Sequence, residues 1–282
     1  MKQSNPMGFS LVELLVAVAL SLVLVAGVAT VYMGSKQTYN ARDELSVMQE
    51  NARTALGILT RHLEHAGYVT PARLHLDKAF YTAADPAPLA MTCEDGSSNL
   101  ADPAALRQTL DGDGNTGAGD TIGITFFADS RLFADCTSTA VPAACRIGVA
   151  PSPTHAQVYN SFYVALPGGE AVPNLYCAGS GAVQPVVEGV ENIQFAYGLD
   201  TDQDGMVDSY LNAAGVDAAA GWAKVLAIKV ALLMRSRAPV FSNAEARTYN
   251  LLGVDFTRSD RYQRTVHTAV VYLRNLAIAN GG

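Results

Sequence analysis

Residues 14–33 form a run of twenty residues without a charge, and a single carboxylate, Glu13, stands at its mouth. Wound as an α-helix at about 1.5 Å per residue, the run is about 30 Å long, the thickness of a bilayer's hydrocarbon core. An ionisable group in such a segment costs about 2.5 to 3.5 kcal/mol at the helix centre and less near an end, so it is kept for a function and paired. Glu13 therefore asks for a partner.

Beyond the run, apolar residues continue at Leu45, Met48, Ala52, Leu56, Leu59, Leu63 and Ala66, in steps of three and four, with charged residues such as Glu44, Arg53 and Glu64 between them. This spacing predicts one rod from Phe9 to Ala66, stopped by Gly67 in the left-handed region and by Pro71 beyond it. The rod would be about 87 Å long, more than a membrane anchor needs. Its outer half carries one apolar stripe, which the following domain must cover.

Residues 69–120, with Pro86, Pro88 and Pro103, are predicted as an irregular connection. Residues 121–127 alternate as a strand, and further strands are predicted at 161–166, 191–197, 225–234 and 264–273. None is followed by the long helical pattern that a parallel crossover requires, so the sheet should be mostly antiparallel. The fold class is α+β: a long N-terminal helix packed by its outer half on an antiparallel β-domain. The expected division is a transmembrane half of the helix at residues 9–34, an amphipathic half at 35–67 and a β-rich domain at 68–282.

Nineteen basic against 26 acidic residues give a net charge of -7. The basic residues are dispersed, which excludes nucleic acid as the main ligand, because phosphate neutralisation needs clustered Lys and Arg. Four cysteines, Cys93, Cys136, Cys145 and Cys177, all follow the apolar run. An even number in an exported region reads as disulfides, free buried thiols being the alternative, and the spacings match no zinc pattern. Of three connectivities, Cys136 with Cys145 and Cys93 with Cys177 is preferred, since the first closes a short loop and would contribute about 2 to 3 kcal/mol.

No catalytic constellation stands out, and an enzyme is not expected. The five histidines have no ligand spacing; His62 and His65 read as part of a solvated helix face. The exception is the stretch from Asp200 through Asp202, Asp204, Gly205 and Met206 to Asp208, which carries the first nine positions of a calcium loop. Leu211 replaces the bidentate Glu of an EF-hand. A hairpin loop binding Ca²⁺ through Asp200, Asp202, Asp204, the Met206 carbonyl and Asp208 stands against a solvated Asp-rich turn. Asp111 to Asn115 is a weaker echo, read as a plain turn.

Three readings of the N-terminus compete. A secretory signal peptide would be cut near Gly27-Val28-Ala29, but Glu13 interrupts the start of its apolar core. A plain signal anchor leaves Glu13 incidental. The third rests on resemblance. Gly8-Phe9-Ser10-Leu11-Val12-Glu13, after a short Lys-containing leader, resembles the type III signal of type IV prepilins and type II secretion pseudopilins. Asn51 to Leu56, His65 to Tyr68, Val187 to Asp200 and Leu273-Arg274-Asn275 resemble the minor pilin PilW family. The resemblance implies a leader at residues 1–8, cleavage after Gly8 by a prepilin peptidase and methylation of Phe9. It also implies a single-pass protein of the bacterial inner membrane with a periplasmic C-terminal domain, which enters the pilus on assembly. There the Glu13 carboxylate would meet the Phe9 ammonium of a neighbouring minor or major pilin, a pair that sets register more than it adds stability. The implied function is pilus assembly or priming. A minor pseudopilin of type II secretion and a calcium-dependent binding module at a filament tip are the alternatives.

Overall fold

The computed structural model describes residues 10–69, 78–85, 92–100, 102–112, 119–149, 156–168 and 171–276. Gly8, Phe9 and Pro71 lie outside them.

One helix, α1 (Leu11–Leu63), runs 53 residues without a break. It stops three residues short of the expected Ala66. Residues 64–67 tighten into a turn in which His65 N–H donates to His62 O at 3.1 Å and Ala66 N–H to Leu63 O at 3.0 Å, an i to i−3 pattern common at helix ends. Gly67 then takes φ +71°, the left-handed conformation expected of it. Met48, Ala52, Ala55, Leu59 and Leu63 are buried, so the stripe predicted from spacing is the face that packs. Ala55 is fully buried while Leu56 is only partly covered.

Two four-stranded sheets, both antiparallel, follow α1. The first runs β1 (Ile122–Phe127), β2 (Gln157–Ala165), β3 (Asn174–Ala178), β4 (Val183–Glu188) in spatial order. The second is built from β5 (Val190–Leu199), β6 (Ser209–Leu211), β7 (Val225–Arg235) and β10 (Arg264–Tyr272), in the order β10-β7-β5-β6. A short helix, α2 (Ala213–Ala218), separates β6 from β7, and β8 (Glu245–Leu251) pairs with β9 (Val254–Asp260) as a separate hairpin.

β7 explains how the layers stack. Its even-numbered residues Ile228, Val230, Leu232 and Met234 join the main core with α1, while Ala231 and Leu233 join Leu251 and Phe256 of the β8–β9 hairpin. Alternation sends successive side chains to opposite faces, so a strand covered on both sides must be apolar throughout. β7 meets that condition over its residues 230–234, past Lys229, whose Nζ sits 3.5 Å from the Tyr210 ring centroid.

The expected disulfide pairing is wrong. Cys93 bonds Cys145, with Cα atoms 5.2 Å apart, and Cys136 bonds Cys177, with Cα atoms 6.1 Å apart. The ten-residue loop needs no covalent closure, because Asp135 Oδ1 accepts N–H bonds from Thr137 at 2.8 Å and Thr139 at 2.9 Å. Its two ends then diverge: Cys145 sits in a cluster with Cys93, Phe126 and Val158, whereas Cys136 N–H donates to Asn160 Oδ1 at 2.9 Å, placing it beside β2 and β3.

Candidate functional site

Ser10 holds an extended conformation at the start of α1 and Glu13 lies in the first turn, where a carboxylate complements the positive end of the helix dipole. Over residues 14–33 the side chains are exposed on all sides of the helix; Leu24 and Met33 are each 70% exposed. The most apolar window of α1 has mean hydropathy 2.8, with none of it buried. A soluble core helix of this length would be covered. The two aliphatic hydroxyls within the run are satisfied by the helix itself: Ser21 donates to Ala17 O at 2.7 Å and Thr30 to Gly27 O at 2.8 Å, as an apolar solvent demands.

The Asp-rich segment forms the β5–β6 connection. Asp200 is buried and accepts N–H bonds from Gln203 at 2.6 Å, Asp204 at 3.2 Å and Gly205 at 2.9 Å. Gly205 takes φ +86°, the conformation for which a glycine was expected there. Carboxylate oxygens of Asp200, Asp202 and Asp208 lie within 4.8 Å of one another, so these three could hold one cation. Asp204 is not in the group; its carboxylate accepts from Met206 N–H at 2.7 Å. The Thr201 hydroxyl and N–H, at 2.5 and 2.7 Å, hold the exposed Asp208 below the usual carboxylate range.

Asp111, read from sequence as part of a turn, has a specific partner. Its two carboxylate oxygens accept from Ala213 N–H and Ala214 N–H, each at 2.8 Å, and so cap α2 from 102 residues away. Spacing carries no signal for such a contact. Asp113 to Asn115 lie outside the described residues. Asp120 is buried, accepts from Gly112 N–H at 2.8 Å and Phe195 N–H at 2.7 Å, and is pushed up to about 7, chiefly by burial.

His62 and His65 are not on a solvated face. Their rings pack 5.8 Å from Phe162 and 5.6 Å from Phe126. Burial, followed by the neighbouring His65 and Arg61, lowers His62 to about 4, so the ring is neutral at physiological pH.

A cleft of about 670 Å³ opens where α1 leaves its apolar run, between Tyr32, Met33 and Lys36 on the helix and the loop 238–242 with Arg261 on the domain. The loop is pinned: Val240 N–H and Phe241 N–H donate to Arg261 O at 2.8 and 3.0 Å, Arg261 Nε donates to Phe241 O at 2.8 Å, and Arg237 N–H donates to Glu44 Oε2 at 2.8 Å. These residues escaped the sequence reading because the loop lies 200 residues beyond the helix turn that it faces.

Residues 161–275 match the family model described as Type IV Pilus-assembly protein W. The matched segment runs from within β2 to three residues past β10 and includes the Asp-rich loop and the strands that receive α1. Among solved structures, the chain is similar to a type IV-like pilin, TTHA1219 of Thermus thermophilus, at 15% identity over 84% of this chain and 96% of that one, with a TM-score of 0.39. No curated protein matches the chain.

Proposed function

We propose that this chain is a non-catalytic minor pilin that acts in type IV pilus assembly. One observation carries the reading: a single helix presents an uncharged, uncovered run of membrane length and continues, unbroken, into a buried stripe against the domain that contains the PilW-matching segment. In this reading α1 crosses the inner membrane once, with the domain in the periplasm. A prepilin peptidase cuts after Gly8 and methylates Phe9, and Glu13 pairs with the new ammonium of a neighbouring pilin. The partners are other minor and major pilins.

The test is mass spectrometry of the mature protein from its native host. N-methylated Phe9 as the first residue is the expected result; a chain beginning at Thr30 would have lost its anchor and would overturn the reading. Deletion that abolishes secretion through a type II system and leaves piliation intact would assign the chain to pseudopilins instead.

The convergence of Asp200, Asp202 and Asp208 supports a subsidiary proposal, that the β5–β6 loop binds one Ca²⁺. Bound calcium would tie the loop to the end of β5.

A further inference from the structure

The cleft at the membrane exit of α1 has a chemistry that changes along its length. Lys36 is the first cation after the apolar run and stands three residues past Met33, about 4.5 Å along the helix axis. The headgroup zone of one leaflet is about 5 to 8 Å thick, so a run that fills the hydrocarbon core sets Lys36 among the headgroups. On the domain side the cleft is lined by half-buried Phe241 and exposed Arg261, among others. Arg247 covers Phe241, its guanidinium 3.7 Å from the ring centroid. The Arg261 guanidinium lines the cleft and donates through Nε to Phe241 O at 2.8 Å. The acids of the cleft, Asp43 and Glu44, sit about 10 to 12 Å further along the helix than Lys36, and Glu44 is engaged by Arg237 N–H. Along the helix, the membrane end of the cleft therefore carries Tyr32 and Lys36, and the far end the two acids.

We propose that this cleft seats the headgroup phosphate of an anionic phospholipid, held between Lys36 and Arg261, with Phe241 at the boundary of headgroup and acyl chain. Cation and aromatic side chains are the residue types that suit this depth, and basic groups near an anionic leaflet each contribute about 1 kcal/mol. The consequence is mechanical. A domain clamped to the membrane surface at loop 238–242 has a fixed tilt relative to its anchor, because Arg237, next to the loop, is bonded to α1 and the loop itself to Arg261. This inference rests on the reading of α1 as a membrane span.

The test uses the full chain in nanodiscs of equal parts phosphatidylglycerol and phosphatidylcholine, extracted gently and examined by native mass spectrometry for retained lipid. Preferential retention of phosphatidylglycerol is expected, with a loss of about 30-fold in Lys36→Gln with Arg261→Gln, two contributions of the size given above. Arg261→Lys removes the bond to Phe241 O and keeps the charge, so it should retain most of the lipid; Arg53→Gln, on the exposed face of α1, should change nothing. Equal retention of the two lipids, or an unchanged double variant, would overturn the proposal, as would cross-links that place a second copy of the chain in the cleft. A chain that fails to enter nanodiscs at all would overturn the membrane reading itself, and this inference with it.

Discussion

Asn275, three residues past the last strand, donates its side-chain amide to the carbonyl of Glu64 at 2.8 Å and to that of Ala66 at 3.3 Å. The end of the domain thus closes the open end of the long helix, whose last carbonyls have no partner within the helix. Leu276 completes the closure over Gly67: a Cβ at Gly67 would lie 2.6 Å from Leu276 Cδ2.

Asn275→Ala should destabilise the full chain in detergent by about 1 kcal/mol, the net worth of a hydrogen bond left unmade at a partly solvated site. Gly67→Ala should cost more, because the left-handed backbone adds about 1 to 2 kcal/mol to the overlap with Leu276. Thermal unfolding of the two variants checks the order. Asn275→Ala costing more than Gly67→Ala would mean that the helix end is held by something other than this cap.

Reducing the disulfides tests a different layer. The bridges span 52 and 41 residues, and constraining loops of that size in the unfolded chain contributes about 4 kcal/mol each in the chain-entropy model. Cys136→Ser should therefore cost about 4 kcal/mol, leave Cys177 as the one thiol that reacts in the unfolded chain, and keep Cys93 joined to Cys145. Peptide mapping that finds Cys145 free in this variant would restore the pairing expected from loop length.

Acid should weaken the domain through its helix-end histidines. An unfolded histidine takes a proton near pH 6.5, whereas His62 in the fold does so at about 4, held down first by burial. Between these values His62 binds more protons in the unfolded chain, so its contribution to stability is full above pH 6.5 and is lost as pH drops through the window, while buried Asp120, raised to about 7, contributes the opposite slope. His62→Gln should remove the His62 contribution and leave that of Asp120. His65, lowered for the same main reason, keeps part of the slope, and Asp135, which faces His62 and opposes the shift, keeps it smaller than burial alone would give. Parallel stability curves for native and variant chains between pH 4 and 6.5 would rule out His62 as the source.

The parts of the fold visible in the sequence are those in which one element's own pattern suffices. Met48, Ala52, Leu59 and Leu63 follow helical spacing because a single face is covered, and residues 230–234 of β7 are all apolar because two faces are. The β8–β9 hairpin escaped because only Leu251 and Phe256 are deeply buried along it, too few to mark a period. Its turn did leave a trace: Leu252 and Gly253 take φ +52° and +95°, the double positive φ of a tight hairpin, for which Gly253 was the available cue. β4 was hidden by Pro185, which is tolerated because β4 is an edge strand of its sheet. The cysteine pairing and the Asp111 cap were illegible for another reason. Each joins segments distant in sequence, and nothing local records the partner.

Glu13→Val should leave membrane insertion intact and impair co-assembly, since it makes the first turn of α1 more apolar while leaving a neighbour's ammonium without its counter-charge. Membrane fractionation and pilus counts in a strain lacking the native copy should separate the two effects. Full piliation with the substituted chain would detach Glu13 from assembly.

The β5–β6 loop offers the sharpest test of spacing against geometry. Spacing alone nominates Asp200, Asp202, Asp204 and Asp208 equally, but Asp204 is turned onto Met206 N–H and only the other three converge. Three carboxylates held this close repel one another at neutral pH, and a cation at their centre relieves that repulsion. Without a bidentate Glu the affinity should fall in the range of about 10⁻⁴ to 10⁻³ M, so calcium at ten times its dissociation constant would stabilise the fold by about 1.4 kcal/mol. Thermal unfolding of the full chain should therefore shift upward in millimolar Ca²⁺ relative to chelator. Asp202→Ala should abolish the shift, and Asp204→Ala, which removes a turn bond but no ligand, should lower both curves and preserve the gap between them. Loss of the shift in Asp204→Ala as well would return the loop to the nine-position pattern read from sequence; identical curves with calcium and with chelator would leave it a turn closed by the three N–H bonds to Asp200.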